Sequence, residues 1–271
     1  MTAMTSPADF MAAAPAPLNG SSPWASRYAS ELRRVVVEHA SRAPRSLQLH
    51  LGPSELGSAC DRQVAGKMAG LTRTNHVSDP WPSIVGTAVH AWLAEAFTAD
   101  NARKGVIRWV AEQRVIPHDD HPGTADLYDA VEQAVVDHKC LGESSMAKIR
   151  AASGPPRKYV VQLLLYGRGY RRLGLPVRRV ALAAYPRTAS SLDGLYVWER
   201  EYTPADDALL EEVFTQTKTR QDYAQRLHAG HLQLHDVPSA PDDDDCYFCP
   251  FYRPQSARDN GPGCPGTVTS H

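Results

Sequence analysis

Asp126, Asp137 and Lys139 fall within HPGTADLYDAVEQAVVDHKC, the stretch from His121 to Cys140. The stretch reads as two short strands joined by a tight turn, with Asp126 on the first and Asp137 and Lys139 on the second. Residues two apart on a strand share a face. Asp137 and Lys139 therefore point one way, and His138 and Cys140 the other; Thr124, Asp126 and Tyr128 share a face of the partner strand. Two carboxylates beside a lysine suit metal-dependent hydrolysis of a phosphodiester. Magnesium or manganese held by carboxylates neutralises the phosphate and activates water. A lysine positions or helps deprotonate that water, or stabilises developing charge. The backbone carbonyl of His138 offers a further oxygen ligand. The bare D-x-K triplet fits a surface ion pair better than a catalytic site, so its surroundings decide.

The elements that would hold these residues can be read in order. Pro23 to about Ala43 reads as an amphipathic helix, with Tyr28, Leu32, Val35, Val36 and His39 near helical spacing. Ser41–Pro53 is a connector. Pro53–Gly70 reads as a short helix start followed by a second helix carrying Cys60, and Pro80 and Pro82 then break the chain. A helix over Ser83–Ala99, capped by Ser83, is expected to bury Val85, Ala88, Val89, Trp92, Leu93 and Ala96. Gly86 and His90 fall on one edge of that face, leaving room one turn before the histidine for a close approach. Val106–Ile116 reads as a strand, Ser144–Ser153 as a short helix and Lys158–Leu173 as a strong helix with Gly174 at its C-cap. Gln162 and Tyr166 stack on one face of that helix. Val177–Tyr185 and Leu195–Tyr202 read as two more strands around a Thr188–Gly194 turn. A polar helix then runs from Thr203 or Pro204 to about His228. This order predicts an α/β protein with a central mixed sheet flanked by helices. Residues 1–22 are expected to be a disordered Ala/Pro/Ser tail, and 23–271 a single domain.

Four motifs come in a fixed order: Gly86-Thr87 with His90, then G-x-x-D at Gly123–Asp126, then D-x-K, then Q-x-x-x-Y at Gln162–Tyr166. This arrangement resembles the RecB-like branch of the PD-(D/E)XK nucleases, with a restriction-endonuclease-like core. More closely, it resembles the CRISPR-associated exonucleases of the Cas-four type and their bacteriophage relatives. The resemblance covers about Pro53 to Cys264. It implies that His90, Asp126 and Asp137 ligate the metal with the His138 carbonyl, and that Lys139 is the catalytic lysine. It also implies that Gln162 and Tyr166 contact DNA or order the active site. Relatives often carry a Glu one turn after the histidine; here the nearest is Glu95, about 140° around the helix, and it is given no role. Glu112 is a weak candidate for an auxiliary acid, and His118 and His121 read as loop residues.

The chain has five cysteines: Cys60, Cys140, Cys246, Cys249 and Cys264. Their wide separation argues against a disulfide framework. C-x-x-C at Cys246–Cys249 can place two thiolates on one metal or cluster. The resemblance supplies Cys60 and Cys264 as the other ligands of a [4Fe-4S] cluster stapling the two ends of the domain. Structural zinc is the competing occupant, and the fourteen residues between Cys249 and Cys264 exceed the usual gap. Cys140 reads as a buried small apolar residue.

Of the 271 residues, 42% are apolar and 22% charged, as in ordinary globular proteins. No apolar run approaches a membrane span, and the N-terminus lacks the basic flank of a signal peptide, so a cytoplasmic location and no membrane partner are expected. Net charge is −1, yet ten Lys/Arg and no acid lie between Ser144 and Leu192. The segment Lys148–Arg187 is expected to line the approach of a phosphate backbone. The function expected is a magnesium- or manganese-dependent DNA exonuclease acting on single-stranded or end-containing DNA in recombination, replication or repair. The alternatives are a non-catalytic Fe–S or zinc DNA-binding module and an endonuclease trimming ends beside CRISPR-adaptation proteins.

Overall fold

The computed structural model describes residues 22–42, 51–75, 79–241, 243–259 and 261–266. Nearly all of the tail expected over 1–22, and part of the 41–53 connector, lie outside them. The described residues divide into two units, one within 1–47 and the other within 48–271.

In the first unit, α1 spans Pro23–Ser41. Ser22 Oγ accepts the Ala25 N–H at 3.1 Å, and Pro23 occupies the first turn, where no N–H is required. Arg34 bridges Glu31 and Glu38 along the polar face, while Tyr28, Leu32, Val35 and Val36 are exposed.

The second unit is built on a five-stranded sheet in the order β1-β2-β3-β4-β5: Trp109–Val115, Gly123–Asp129, Ala134–Leu141, Arg179–Pro186 and Tyr196–Glu201. All neighbours are antiparallel except β3 and β4, which run parallel. The mixed sheet is the one expected. The β2–β3 turn is tied by Asp129, whose Oδ1 accepts the N–H groups of Val131 and Glu132 and whose carboxylate pairs with Arg108. Asx side chains suit such turns because they imitate a backbone acceptor.

Helices α2 (Pro53–Leu56) and α3 (Asp61–Met68) precede α4 (Trp81–Lys104). The latter begins before Ser83 because Asp79 Oδ1 accepts the Trp81 N–H and Pro82 is tolerated in a first turn. Its packing stripe also differs from expectation. Leu93 is buried, and Val89, His90 and Phe97 are half-buried, but Ala88 and Trp92 face solvent. Phe97 stacks on His138, 5.6 Å between ring centres, so α4 covers the His138 face of the sheet.

The opposite face is covered by α6 (Arg157–Arg172), which follows α5 (Glu143–Arg150). Leu163, Leu164 and Leu165 are fully buried, with Tyr128 and Tyr170 stacked beneath them. Each such leucine contributes about 2 kcal/mol of burial, and truncating one to Ala costs about 3 kcal/mol. Gly57 lets α2 meet α6: a Cβ there would lie 2.8 Å from the Lys158 Cα. Helix α7 (Pro204–His228) opens with a Thr203–Asp206 capping box. Its fully buried Arg220 donates to the Leu56 and Ser58 carbonyls and pairs with Asp61. Short helices α8 (Asp243–Phe248) and α9 (Ser256–Asp259) complete the described α-helices.

Among the described residues no helix is long and apolar enough to cross a membrane.

Candidate functional site

The β2–β3 ladder stops at Leu127–Val136. The next rung would pair Asp126 with Asp137. There the strands part, and Asp126 Oδ2 instead accepts the His138 N–H at 2.7 Å. On the other side of β2, the β1 register pairs Ala111 with Leu127 and Gln113 with Ala125, and skips the rung between them. That rung is Glu112 opposite Asp126. One cross-strand row therefore carries three carboxylates: Glu112, Asp126 and Asp137. Glu112 has a left-handed backbone (φ 50°), a costly conformation for a residue with a Cβ.

His90, reaching in from α4, places Nδ1 3.4 Å from Asp126 Oδ1. One ligand atom each from His90, Glu112 and Asp126 lies within 4.8 Å of the others. A nitrogen and two carboxylate oxygens converging in this way suit a divalent cation. Asp137 lies outside this close set. It is fully buried, and its partner is the Lys139 ammonium, 2.5 Å from Oδ2. Glu112, a weak sequence candidate for an auxiliary acid, belongs to this close set. Alternation along the chain gave it no partner; only the strand register shows that it faces Asp126. Glu95 stays exposed.

The electrostatics separate the two aspartates. Burial pushes the Asp126 carboxyl upward, but the hydrogen bond and charge of His90, the Lys139 charge and the His138 N–H bring it below the usual range. Burial raises Asp137 to about 6, against the pull of Lys139 and with the help of Asp126. His90 is raised, chiefly by its hydrogen bond to Asp126. Burial lowers His138 to about 4, so its imidazole is neutral near pH 7. That ring packs against Phe97, His90 and Tyr185.

Several expected contacts are placed differently. Gln162 and Tyr166 are buried, at 6% and 5% exposure, and the Gln162 amide donates to the Tyr166 hydroxyl at 3.1 Å. They sit in the core, not on an exposed helix face. From α6, Tyr159 approaches the site, its ring centre 5.3 Å from Lys139 Nζ. The Lys148–Arg187 segment is not a bare basic groove. Arg168 pairs with Glu211, Arg171 with Asp207, Arg172 with Asp119 and Arg179 with Glu199. The acids missing from that stretch of sequence arrive from other elements. His121 is buried with Nδ1 3.4 Å from the Leu51 carbonyl, and Cys140 is half-buried. A Cβ on Gly86 would meet nothing within 4 Å, so the space one turn before His90 is open.

Cys60, Cys246, Cys249 and Cys264 line one small cavity with Arg62, Phe251 and Tyr252. The Cys249 thiol is pushed up to about 11 by burial, with the other three cysteines adding to the effect. Arg62 donates to Cys264 Sγ at 3.2 Å and to the carbonyls of Val237 and His235. Among the described residues, these sulfurs do not make a close set of the kind formed by His90, Glu112 and Asp126. The iron–sulfur staple expected from sequence is thus reduced here to four thiols around one cavity.

No protein-family model matches the chain, and no curated protein sequence matches it. Among solved structures, an alkaline exonuclease (LHK-Exo) from Laribacter hongkongensis superposes with a TM-score of 0.45 and 12% identity, over 68% of this chain and 91% of that one. A phage-related exonuclease from Haemophilus somnus 129PT gives 0.41 and 12%, over 64% and 82%. LHK-Exo in complex with dAMP gives 0.40 and 14%, over 66% and 91%. At these values the likeness is one of partial chain trace, and the chemistry has to be argued from the residues themselves.

Proposed function

We propose that the chain is a metal-dependent DNA exonuclease of the PD-(D/E)XK superfamily, of the RecB-like kind, acting on single-stranded DNA or free DNA ends. The observation that carries this reading is the row Glu112–Asp126–Asp137 across three neighbouring strands, with His90 on Asp126 and Lys139 on Asp137. His90, Glu112 and Asp126 would hold magnesium or manganese, with Asp137 and the His138 carbonyl as the further oxygens. A cation bound there supplies charge neutralisation for a phosphodiester and acidifies water. Asp126 is held ionised by His90 and Lys139. Lys139, leaning on Asp137, presents its ammonium toward a phosphate oxygen that gains charge as the bond breaks. The choice of DNA and of free ends rests on the motif order noted in the sequence.

The test is release of nucleotides from single-stranded and blunt linear DNA with magnesium or manganese, for the parent and for Asp126→Ala and Lys139→Ala. Loss of activity in both variants is expected. Parent-level activity in both, or an inactive parent under all these conditions, would overturn the reading.

The cysteine cavity would hold a [4Fe-4S] cluster. Four thiols line one space there, the number of ligands such a group takes. Protein purified without oxygen and assayed for iron and zinc tests this: about four irons per chain are expected, and a single zinc would overturn it.

A further inference from the structure

The nuclease reading leaves Tyr159 unexplained, and its surroundings are specific. Its ring centre lies 5.3 Å from Lys139 Nζ and also 5.3 Å from Lys158 Nζ. The residue sits in the first turn of α6, where its N–H donates to the Pro156 carbonyl at 2.9 Å. The neighbouring backbone is pinned: Gly57 packs against the Lys158 Cα, and Arg157 donates to the Gly57 carbonyl. The ring also packs on the main apolar core. A flexible four-carbon lysine side chain thus meets two fixed groups, the Asp137 carboxylate and the face of an anchored aromatic ring.

We infer that Tyr159 is a positioning residue for Lys139, its ring holding the ammonium against Asp137 at the site. This rests on the nuclease reading given above. An ammonium is attracted to the face of an aromatic ring, and confining it there removes the rotamers that would swing it to solvent. The attraction is to the face of the ring, which phenylalanine shares.

The test combines kinetics with a spectroscopic signature. Lysines of the parent, Tyr159→Phe and Tyr159→Leu are dimethylated with carbon-13 formaldehyde, and the Lys139 signal is assigned by its absence in Lys139→Arg. An upfield ring-current shift of Lys139 is expected in the parent and in Tyr159→Phe, and its loss in Tyr159→Leu. In nuclease assays Tyr159→Phe should keep the parent's kcat, while Tyr159→Leu should lose about tenfold in kcat with little change in KM. No ring-current shift in the parent, parent-level kcat in Tyr159→Leu, or equal losses in the two variants would each overturn the inference. Should Tyr159→Leu fail to fold, the parent and Tyr159→Phe still decide it through the shift and kcat. If Lys139→Ala matches the parent in rate, the nuclease reading fails instead, and the ring-current shift still reports whether Tyr159 holds Lys139.

Discussion

Asp126 accepts the backbone N–H of His138 at 2.7 Å, at the rung where the β2–β3 ladder ends. One carboxylate thus has two duties: Oδ2 closes the strand pairing and Oδ1 faces His90. The duties separate by substitution. Asp126→Asn keeps an acceptor for the N–H and should melt close to the parent, while abolishing nuclease activity. Asp126→Ala leaves the buried N–H without its acceptor and should lose about 2 kcal/mol of stability as well. Thermal melts beside activity assays distinguish them; equal melting of the two variants would contradict the structural duty.

Glu112 is held in a backbone conformation that glycine adopts freely. Glu112→Gly should therefore raise stability by about 1 kcal/mol while weakening manganese binding. Glu112→Gln should weaken manganese binding without the gain. Calorimetric titration with manganese and chemical denaturation check both signs, and undiminished manganese binding in both variants would remove Glu112 from the ligand set.

A divalent cation held at this site would compete with protons. His90 is raised by Asp126, and Asp137 is raised to about 6 by burial, so both take up protons as pH falls toward and below neutrality. Manganese affinity should be full at alkaline pH and decline as pH drops through about 6, with proton release on binding. Titrations in buffers of different ionisation heat measure that release; a pH-independent affinity would contradict it.

The Asp129 carboxyl lies below its ordinary range: burial raises it, but Arg108 and the N–H groups of Glu132 and Val131 outweigh that. A carboxyl depressed by folding contributes stability above its unfolded value and loses it as pH falls through its folded value. The parent should exceed Asp129→Asn in melting temperature at neutral pH, and the gap should close below about pH 4. A gap constant down to the acid limit would show that the charge contributes nothing.

Arg220 is fully buried with two carbonyl partners and Asp61. Arg220→Met should cost about 3 kcal/mol, because two carbonyls lose their donor together and Asp61 keeps only the Gln216 amide. Denaturant midpoints measure this, and a loss below about 1 kcal/mol would show that water replaces the guanidinium.

The hairpin, the strong helix α6 and the capped α7 were legible because alternation, helical spacing and turn residues all agreed there. What escaped was set by strand pairing and distant partners. Glu112 looked incidental until the β1–β2 register set it opposite Asp126. For Gln162 and Tyr166, helical spacing reports a shared face without saying that the core covers it. The partners of Arg168, Arg171, Arg172 and Arg179 were not legible because Glu211, Asp207, Asp119 and Glu199 lie far off in sequence or on other elements. The start of α4 moved because Asp79, not Ser83, supplies the capping acceptor.

The Arg220 clamp also sets an order of events during synthesis. Asp61 and Arg220 are 159 residues apart, and Arg62 and Cys264 are 202 apart. At ordinary elongation rates roughly 10–30 s pass between translation of the first clamped segment and its guanidinium partner. Through that interval the carbonyls of Leu56 and Ser58 have only water to bond, and Cys60 waits longer still for the thiols that share its cavity. The nascent chain carries its acidic row well before it can close around it.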